Sequence, residues 1–588
     1  MDVKENSYKT WFDRLPNEIT FLMFDYLSIN DILYTFFFFN ERFNNLLLKH
    51  QHYFKYFELP KTNLDFWKNI LSIINLHIEY LNITTIDLTL PLTLFPNLKS
   101  IIISSPYGFP YENLKLIFES SLFNNLHSLR IKRDEIKSNI FYNDFIRNED
   151  NVLEEVFNNK NSLKIFEYPT INPSFTTTEA YINNFEQNIS LHSLKLLLTD
   201  FQDIFTLLLF TPNLEYLNVK CEIPKDKQSM KVINVKLKQF HLTLVDNISM
   251  PLAGSSVGIN FKQLTDCIKQ FSSSLICLSI YFNVPVPIQD EFIFNSFKLQ
   301  QFFESMTELK EFHFFIELFY DKKGSNDILS RFRGQYWLDR NYLIGMHSTF
   351  FYTLPFYFDY LYALPKKIDD VMSNYPEILQ SNPRLWYNVK IIKWYSSPDC
   401  ILDQARELKI KIPKLTKIEL IGSTLPKNYG QRHLNNEEKI QLHSITTVHL
   451  LSRTAPKTIV YAIDELPNLK HLILSTETFP NIGDDFALQL NKTLEQLDIN
   501  SRSISNELIH QCITYLTNIK HVHYHYTCSP VNKARDYAYN IMHILKGFKN
   551  LKTMLIYIRE KSFYYGSESD QAEFEDLIRY FERRNMMD

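Results

Sequence analysis

The part of the chain best equipped for chemistry is HVHYHY, where His521, His523 and His525 occupy every second position. Alternate side chains leave an extended strand on one side, so three imidazoles would stand about 7 Å apart in a line. Such a line suits a solvated surface, a binding face that changes charge near pH ~6.5, or a metal site. Zinc requires a fourth ligand, and none is evident from the spacing. The six cysteines are scattered and form no Cys-x-x-Cys pair, which fits a reducing compartment, cytoplasmic or nuclear. A second candidate is GSSVG, where Gly254, Ser256 and Gly258 satisfy Gly-x-Ser-x-Gly. That motif serves a hydrolase when the serine sits on a sharp turn leading directly from a strand into a helix. Here the preceding strand ends near Val245 and NISMPLA intervenes, so a small-residue turn before FKQLTDCIKQF is the simpler reading. No zinc-protease His-Glu-x-x-His, P-loop or kinase signature occurs. The expectation is a non-catalytic protein without cofactor or metal, with a serine hydrolase using Ser256 as the outlying alternative.

Composition narrows the partners. The 588 residues are 45% hydrophobic and 15% aromatic, enough for a large core, and only 11 are Gly. A formal charge of −4 without a long Lys/Arg run disfavours nucleic acid and anionic membranes. The N-terminal MDVKENSYKTWF lacks a signal-peptide pattern, so the Asn-x-Ser/Thr triplets at Asn82, Asn188, Asn247 and Asn491 read as chance matches. TFFYTLPFYFDYLYALP from Thr349 carries prolines and Asp359 and reads as a buried aromatic segment, not a membrane span.

The histidines must be positioned by a phrase repeated along the chain. PNLKSIIIS at Pro96, PNLEYLNVK at Pro212 and PNLKHLILS at Pro467 share the apolar skeleton Φ-x-x-Φ-x-Φ. Fifteen frames carry it, beginning at Leu98, Leu126, Leu163, Leu191, Leu214, Leu237, Leu275, Leu309, Val389, Leu415, Ile445, Leu469, Leu494, Ile519 and Leu551. Eight of their fourteen intervals lie between 23 and 28 residues, the regularity of a repeat. Alternation places Leu472 and Leu474 inward, with His471, Ile473 and Ser475 outward. The same frame turns Ile519, Val522 and Tyr524 inward and puts Glu419, His449, His471, Gln496, Asp498, Asn500, His521, His523 and His525 on exposed strand positions. Those nine form the candidate binding face.

From about Ile83 to Ile556 this pattern resembles a leucine-rich repeat. The resemblance implies an α/β array of parallel strands with helical or irregular returns over residues 83–560. The side-chain ladder usual in the family is expected to be missing, since the Asn or Cys eight residues after the first Leu occurs only as Asn283. An aromatic-rich section at about 320–388 is expected to hold one or two degenerate units in preference to an inserted flap. SESDQAEFEDLIRYFERR reads as a capping helix over 567–588, with Phe574, Leu577, Ile578 and Phe581 on one face.

At the N-terminus, Ile19, Leu22, Met23, Tyr26 and Leu27 recur at helical spacing behind Leu15 and Pro16. A second helix restarts after a cap at Ser28 or Asn30, with Ile32, Leu33, Phe36 and Phe37 apolar. A third carries Phe43, Leu46 and Leu47. Leu15, Pro16, Glu18, Phe24, Tyr26, Leu27, Asp31, Arg42 and Phe43 stand where an F-box places its pattern, although HQHYFKYFELP lacks the tryptophan many F-boxes carry. This resemblance implies an F-box-like domain over 10–58, a linker or cap over 59–82, and a substrate receptor of a Skp–cullin–F-box ubiquitin ligase. Leu15, Pro16, Ile19, Phe24, Leu27, Asp31 and Phe43 would then bind the Skp adaptor, and cullin through it, while the array holds an unknown protein substrate. The alternative is a leucine-rich scaffold that does not bind the adaptor.

Overall fold

Every one of the fifteen apolar frames opens two residues ahead of a strand. The computed structural model describes residues 15–559 apart from 38, 60–63, 84–91, 106–110, 134–149, 158–160, 173–184, 199–200, 223–233, 246–260, 288–294, 320–324, 348, 362–370, 382–383, 397–409, 423–441, 451–465, 475–489, 501–505, 528–540 and 542. Ser256 and the expected helix at 567–588 lie outside the described residues. The described fold is mixed α/β, dominated by parallel sheet, and divides into two units, Met1–Phe312 and His313–Asp588.

In the first unit, three helices precede nine strands that pair in sequence order, all parallel. The helices are α1 (Asn17–Phe24), α2 (Ile29–Phe36) and α3 (Glu41–Lys49). The strands are β1 (Tyr56–Leu59), β2 (Tyr80–Ile83), β3 (Ser100–Ser105), β4 (Ser128–Arg133), β5 (Ile165–Asn172), β6 (Ser193–Leu198), β7 (Tyr216–Glu222), β8 (Gln239–Val245) and β9 (Cys277–Pro287). The sheet therefore starts at Tyr56, and the segment read as a linker at 59–82 supplies its second strand. The returns include the helix Phe261–Lys269, which buries Leu264 and Ile268 as its spacing predicts.

The second unit takes in all but the first two residues of β10 (Glu311–Phe319), then β11 (Leu343–His347) and β12 (Phe350–Leu354). Here β12 pairs antiparallel with both β10 and β11, and β11 pairs antiparallel with β14 (Met372–Ser373). This section holds an antiparallel insert, not the degenerate parallel units expected of it. Every residue of β11 and β12 is buried, so their sequence carries no alternation to read. Gly345 is required there, because a Cβ would meet Tyr352 Cε2 at 2.7 Å and Leu354 Cδ1 at 2.8 Å. A parallel sheet follows from β13 (Tyr360–Leu361) through β15 (Ile391–Ser396), β16 (Lys417–Gly422), β17 (Thr447–Leu450), β18 (His471–Leu474), β19 (Gln496–Asn500), β20 (His521–Thr527) and β21 (Thr553–Arg559).

A side-chain ladder does exist, at the opposite end of the strand from the one the family pattern suggests. The Asn before the first apolar residue of a frame donates its amide to a carbonyl in the preceding unit. Asn97 reaches Leu76 O at 2.7 Å, Asn213 Ile189 O at 2.8 Å, Asn468 His443 O at 2.9 Å and Asn518 Asn491 O at 2.7 Å. That bond explains the Asn of the Pro-Asn-Leu phrase. Where the frame lacks it, a deeper Asn substitutes. Asn188, buried, donates to Val156 O at 2.8 Å and Asn161 Oδ1 at 3.0 Å and accepts from the amides of Ser190 and Leu191.

Asn188→Ala should leave the amides of Ser190 and Leu191 without their side-chain acceptor while Val156 O keeps its bond from Asn161, at a cost of roughly 2–4 kcal/mol, whereas Asn213→Ala, with a single exposed bond, should cost about 1 kcal/mol or less. Urea unfolding of the two variants checks the difference. Equal midpoints would show that the asparagines do not tie the units together.

Candidate functional site

The helical bundle is built around Phe24, Ile32, Leu33, Phe36, Phe43 and Leu47, all nearly inaccessible. Phe36 lies 5.2 Å from Phe24 and 5.3 Å from Phe43 between ring centroids. Phe24 and Phe43 are thus core residues and offer nothing to a partner, which removes them from the expected adaptor-binding set. Pro16 is the residue that caps α1, its carbonyl accepting from Thr20 N. Ser28 caps α2 through Asp31 N and donates to the Asp31 carboxylate, so Asp31 is exposed but already serves the helix. Asn30, the other cap candidate, instead donates to Glu58 O at 2.8 Å and ties α2 to β1. Asn40 caps α3. Arg42 donates to Leu15 O and, at 2.8 Å, to Asn17 Oδ1, clamping the start of α1.

What remains outside is apolar. Turning Phe24 inward leaves Ile19 43%, Leu22 53%, Tyr26 85% and Leu27 39% exposed, beside exposed Pro16 and half-buried Leu15 and Met23. Ile19 and Leu22 share one face of α1 at i, i+3 spacing, and Tyr26 and Leu27 lie in the turn that follows the helix. Grouped apolar side chains on a short helix and its turn, directed at water, mark an interaction surface.

The predicted histidine face lies on the parallel sheet of the second unit. Pairing of β16–β20 in register aligns first positions Lys417, Thr447, His471, Gln496 and His521, and third positions Glu419, His449, Ile473, Asp498 and His523. These side chains do come together, but under cover. Glu419, His449, Ile473, Asp498 and His523 are all buried, which corrects their assignment to exposed positions. His471, Gln496 and His521 are half-buried. Asn500 and His525 have their backbone in β19 and β20, and their side chains lie outside the described residues. Alternation reports the side a residue leaves by, not the depth of material over that side.

Two charge clusters occupy this face. Lys417 Nζ sits 2.8 Å from Glu419 Oε1, Tyr360 donates its hydroxyl to Oε2 at 3.0 Å, and His449 Nδ1 is 3.7 Å from Oε1. Burial pushes the Glu419 carboxyl upward, but the His449 and Lys417 contacts outweigh it and hold it down at about 2. Burial likewise keeps His449 below the ordinary imidazole range, with Glu419 opposing only part of that effect. In the second cluster Asp498, fully buried, accepts from Gln496 Nε2 on Oδ1 at 3.0 Å, Gln496 Nε2 also lies 3.0 Å from His523 Nδ1, and the imidazoles stand at ion-pair distance, His523 Nδ1 2.9 Å from Oδ1 and His471 Nε2 3.1 Å from Oδ2. The two imidazoles address different oxygens of one carboxylate, a bridge and not a set of ligands converging on one point. The chemistry available is internal neutralisation of buried charge. Lys417 and Tyr360 were missed from sequence, although the Lys-x-Glu spacing at 417 and 419 puts both on one side of a strand.

No family model matches the chain, and no curated protein matches it in sequence. Function therefore rests on these surfaces.

The clusters predict a pH dependence. With its folded pKa depressed, Glu419 contributes stability that is complete above the ordinary 4.5 and fades as pH falls towards about 2. His449 acts at higher pH: below the ordinary 6.5 the unfolded chain takes up a proton that the folded chain resists, so stability falls as pH falls. Amide exchange of β16–β18 should accelerate, relative to intrinsic rates, between about pH 7.5 and 5, and His449→Gln should flatten that slope. At neutral pH Glu419→Gln should cost roughly 3–5 kcal/mol by stranding the Lys417 ammonium, and Lys417→Met with Glu419→Leu should recover most of it.

Proposed function

We propose that this chain is the substrate-recognition subunit of a Skp–cullin–F-box ubiquitin ligase, an F-box followed by leucine-rich repeats. The observation that carries the proposal is the exposed apolar surface of α1 and its flanking residues, with Ile19 and Leu22 on the helix, Pro16 at its start and Tyr26 and Leu27 in the turn after it. A helix that only packed the bundle onto the sheet would have that face covered. Its agreement with the Leu-Pro-x-Glu pattern names the partner class: the Skp adaptor docks on α1, and cullin is reached through it. The parallel array behind the bundle holds the protein to be ubiquitylated. Transfer belongs to other subunits, so the chain itself performs no chemistry.

Ile19→Ala with Leu27→Ala should weaken capture of a purified Skp adaptor about thirtyfold, since truncating a central interface anchor costs roughly 2 kcal/mol or more. The melting temperature should be unchanged, because neither side chain enters the core. Phe24→Ala is the contrasting variant and should lose roughly 3–5 kcal/mol of bundle stability. Undiminished capture by the Ile19/Leu27 variant would show that the adaptor does not dock on this face, and no capture by the native chain would leave a scaffold that does not bind the adaptor.

A further inference from the structure

The residues just before the strands of the first unit form a row of their own. Lys99, His127, Lys164, His192, Glu215 and Lys238 hold this position in successive repeats, and from Lys99 to Glu215 the carbonyl of each accepts the amide of the next together with the amide after it. Side chains at this position reach one another. Lys99 meets Glu79 of the preceding repeat at 2.8 Å, and Lys238 meets Glu215 at 2.7 Å. Both ends of the row are thus paired internally, and the middle is not. His127, Lys164 and His192 are consecutive and exposed, and no side chain among the described residues pairs with any of them. His192 Nδ1 donates to Ser190 O, a bond within its own turn. An ammonium flanked by two imidazoles therefore faces solvent. Neighbouring strands lie about 4.8 Å apart, so the three side chains leave the backbone along a line of about 10 Å. An extended chain offers side chains on one side every ~6.8 Å, which is out of step with that line. An α-helix rises about 1.5 Å per residue, so its positions i, i+3 and i+7 share a face at about 0, 4.5 and 10.5 Å and match it.

We propose that His127, Lys164 and His192 form a docking site for an acidic helix that presents carboxylates at i, i+3 and i+7. The central carboxylate meets the Lys164 ammonium and the outer two meet the imidazoles, a charge-complementary row on strand starts whose register holds it in place. His192 has already given Nδ1–H to Ser190 O, so it donates from Nε2 as the imidazolium that a bound carboxylate favours. Glu215, the carboxylate next in the row, is held by Lys238 and leaves the site to its ligand. The site rests on the ligase reading only in giving its substrate a chemical class, because peptide binding requires no adaptor and is measured without one.

The experiment is fluorescence anisotropy with the full chain and a fluorescein-labelled alanine–glutamine helical peptide carrying Glu at i, i+3 and i+7. Controls are a peptide of the same composition with Glu at i, i+2 and i+5, which scatters the carboxylates over different faces, an analogue with Gln for every Glu, and oligothymidylate. The native chain should bind the i, i+3, i+7 peptide, prefer it to both peptide controls, and lose affinity as salt rises from about 50 to 500 mM. Lys164→Glu should weaken binding about tenfold or more, and His127→Ala with His192→Ala about threefold, while Lys269→Glu, in the last turn of the helix Phe261–Lys269, should not. Circular dichroism verifies folding, and Lys164→Gln gives the same reading if charge reversal unfolds the chain. Adaptor capture by the Lys164 variant should equal that of the native chain, so failure of this site and failure of adaptor docking are separable. Absence of binding, equal binding by Lys164→Glu, equal binding of the scattered peptide, or tighter binding of oligothymidylate would each overturn the proposal.

Discussion

One hydrogen-bonding arrangement governs the parallel sheets: a single carbonyl at the start of each strand accepts two consecutive amides from the next. Glu79 O accepts from Lys99 and Ser100, Lys99 O from His127 and Ser128, and Glu215 O from Lys238 and Gln239. The second unit repeats it, with Lys390 O accepting from Thr416 and Lys417 and Glu495 O from Lys520 and His521. Because the same point of each repeat is tied to the same point of its neighbour, the strands start in register, and β5 leaves it only beyond Tyr168, where Ile171 pairs with Leu197. A slip of one residue would exchange the apolar and polar faces of an entire strand, and this tie at the strand start opposes it. Residues at equal positions in successive repeats consequently fall into rows. Ion pairs reinforce the tie at the surface, as Lys99 with Glu79, Lys238 with Glu215 and Lys520 with Glu495, each in neighbouring repeats. Exposed pairs of this kind contribute little stability, so the backbone bond and the Asn ladder set the register.

Much of this order could be read from sequence because a repeat multiplies a weak signal. One Φ-x-x-Φ-x-Φ frame means little, yet fifteen at related spacing locate β3–β10 and β15–β21. The first two strands were overlooked although Phe54, Phe57 and Leu59, then Ile78, Leu81 and Ile83, carry the same skeleton and are all buried. Reading that segment as the tail of the helices and a linker concealed it. The antiparallel insert was unreadable for a different reason. Phe350–Leu354 is buried on both sides, and a continuous apolar run specifies neither strand direction nor partner. The α1 face shows a third limit. Ile19, Leu22 and Tyr26 announce an amphipathic helix, but periodicity does not say whether the apolar side meets the chain's own core or another molecule.

Rows also explain why two polar faces made by the same rule differ in exposure. On the second-unit sheet the third row brings Glu419, His449, Asp498 and His523 under cover, where a charge without a counterpart is costly. Each buried carboxylate accordingly has partners, Glu419 in Lys417 and Tyr360, and Asp498 in Gln496 with two histidines at ion-pair distance. Ile473, between them in the row, is apolar and buried, which the alternating pattern had turned to solvent. On the first-unit sheet the corresponding row holds half-buried Arg130, Glu167, Lys195 and Asn218, with Lys195 2.9 Å from Glu167.

The bundle and the sheet are joined in a way that separates their surfaces. Asn30 reaches from the first turn of α2 to Glu58 O on β1, so α2 faces the strands while α1 carries its apolar side elsewhere. Arg42 and the Tyr53–Asp25 hydrogen bond hold α1 from the α3 side and from the turn that follows α3. Those contacts fix α1 without using Ile19, Leu22 or Leu27. A partner docking there would meet a helix already held in place, with little conformational entropy left to lose, and would touch none of the bonds that set strand register.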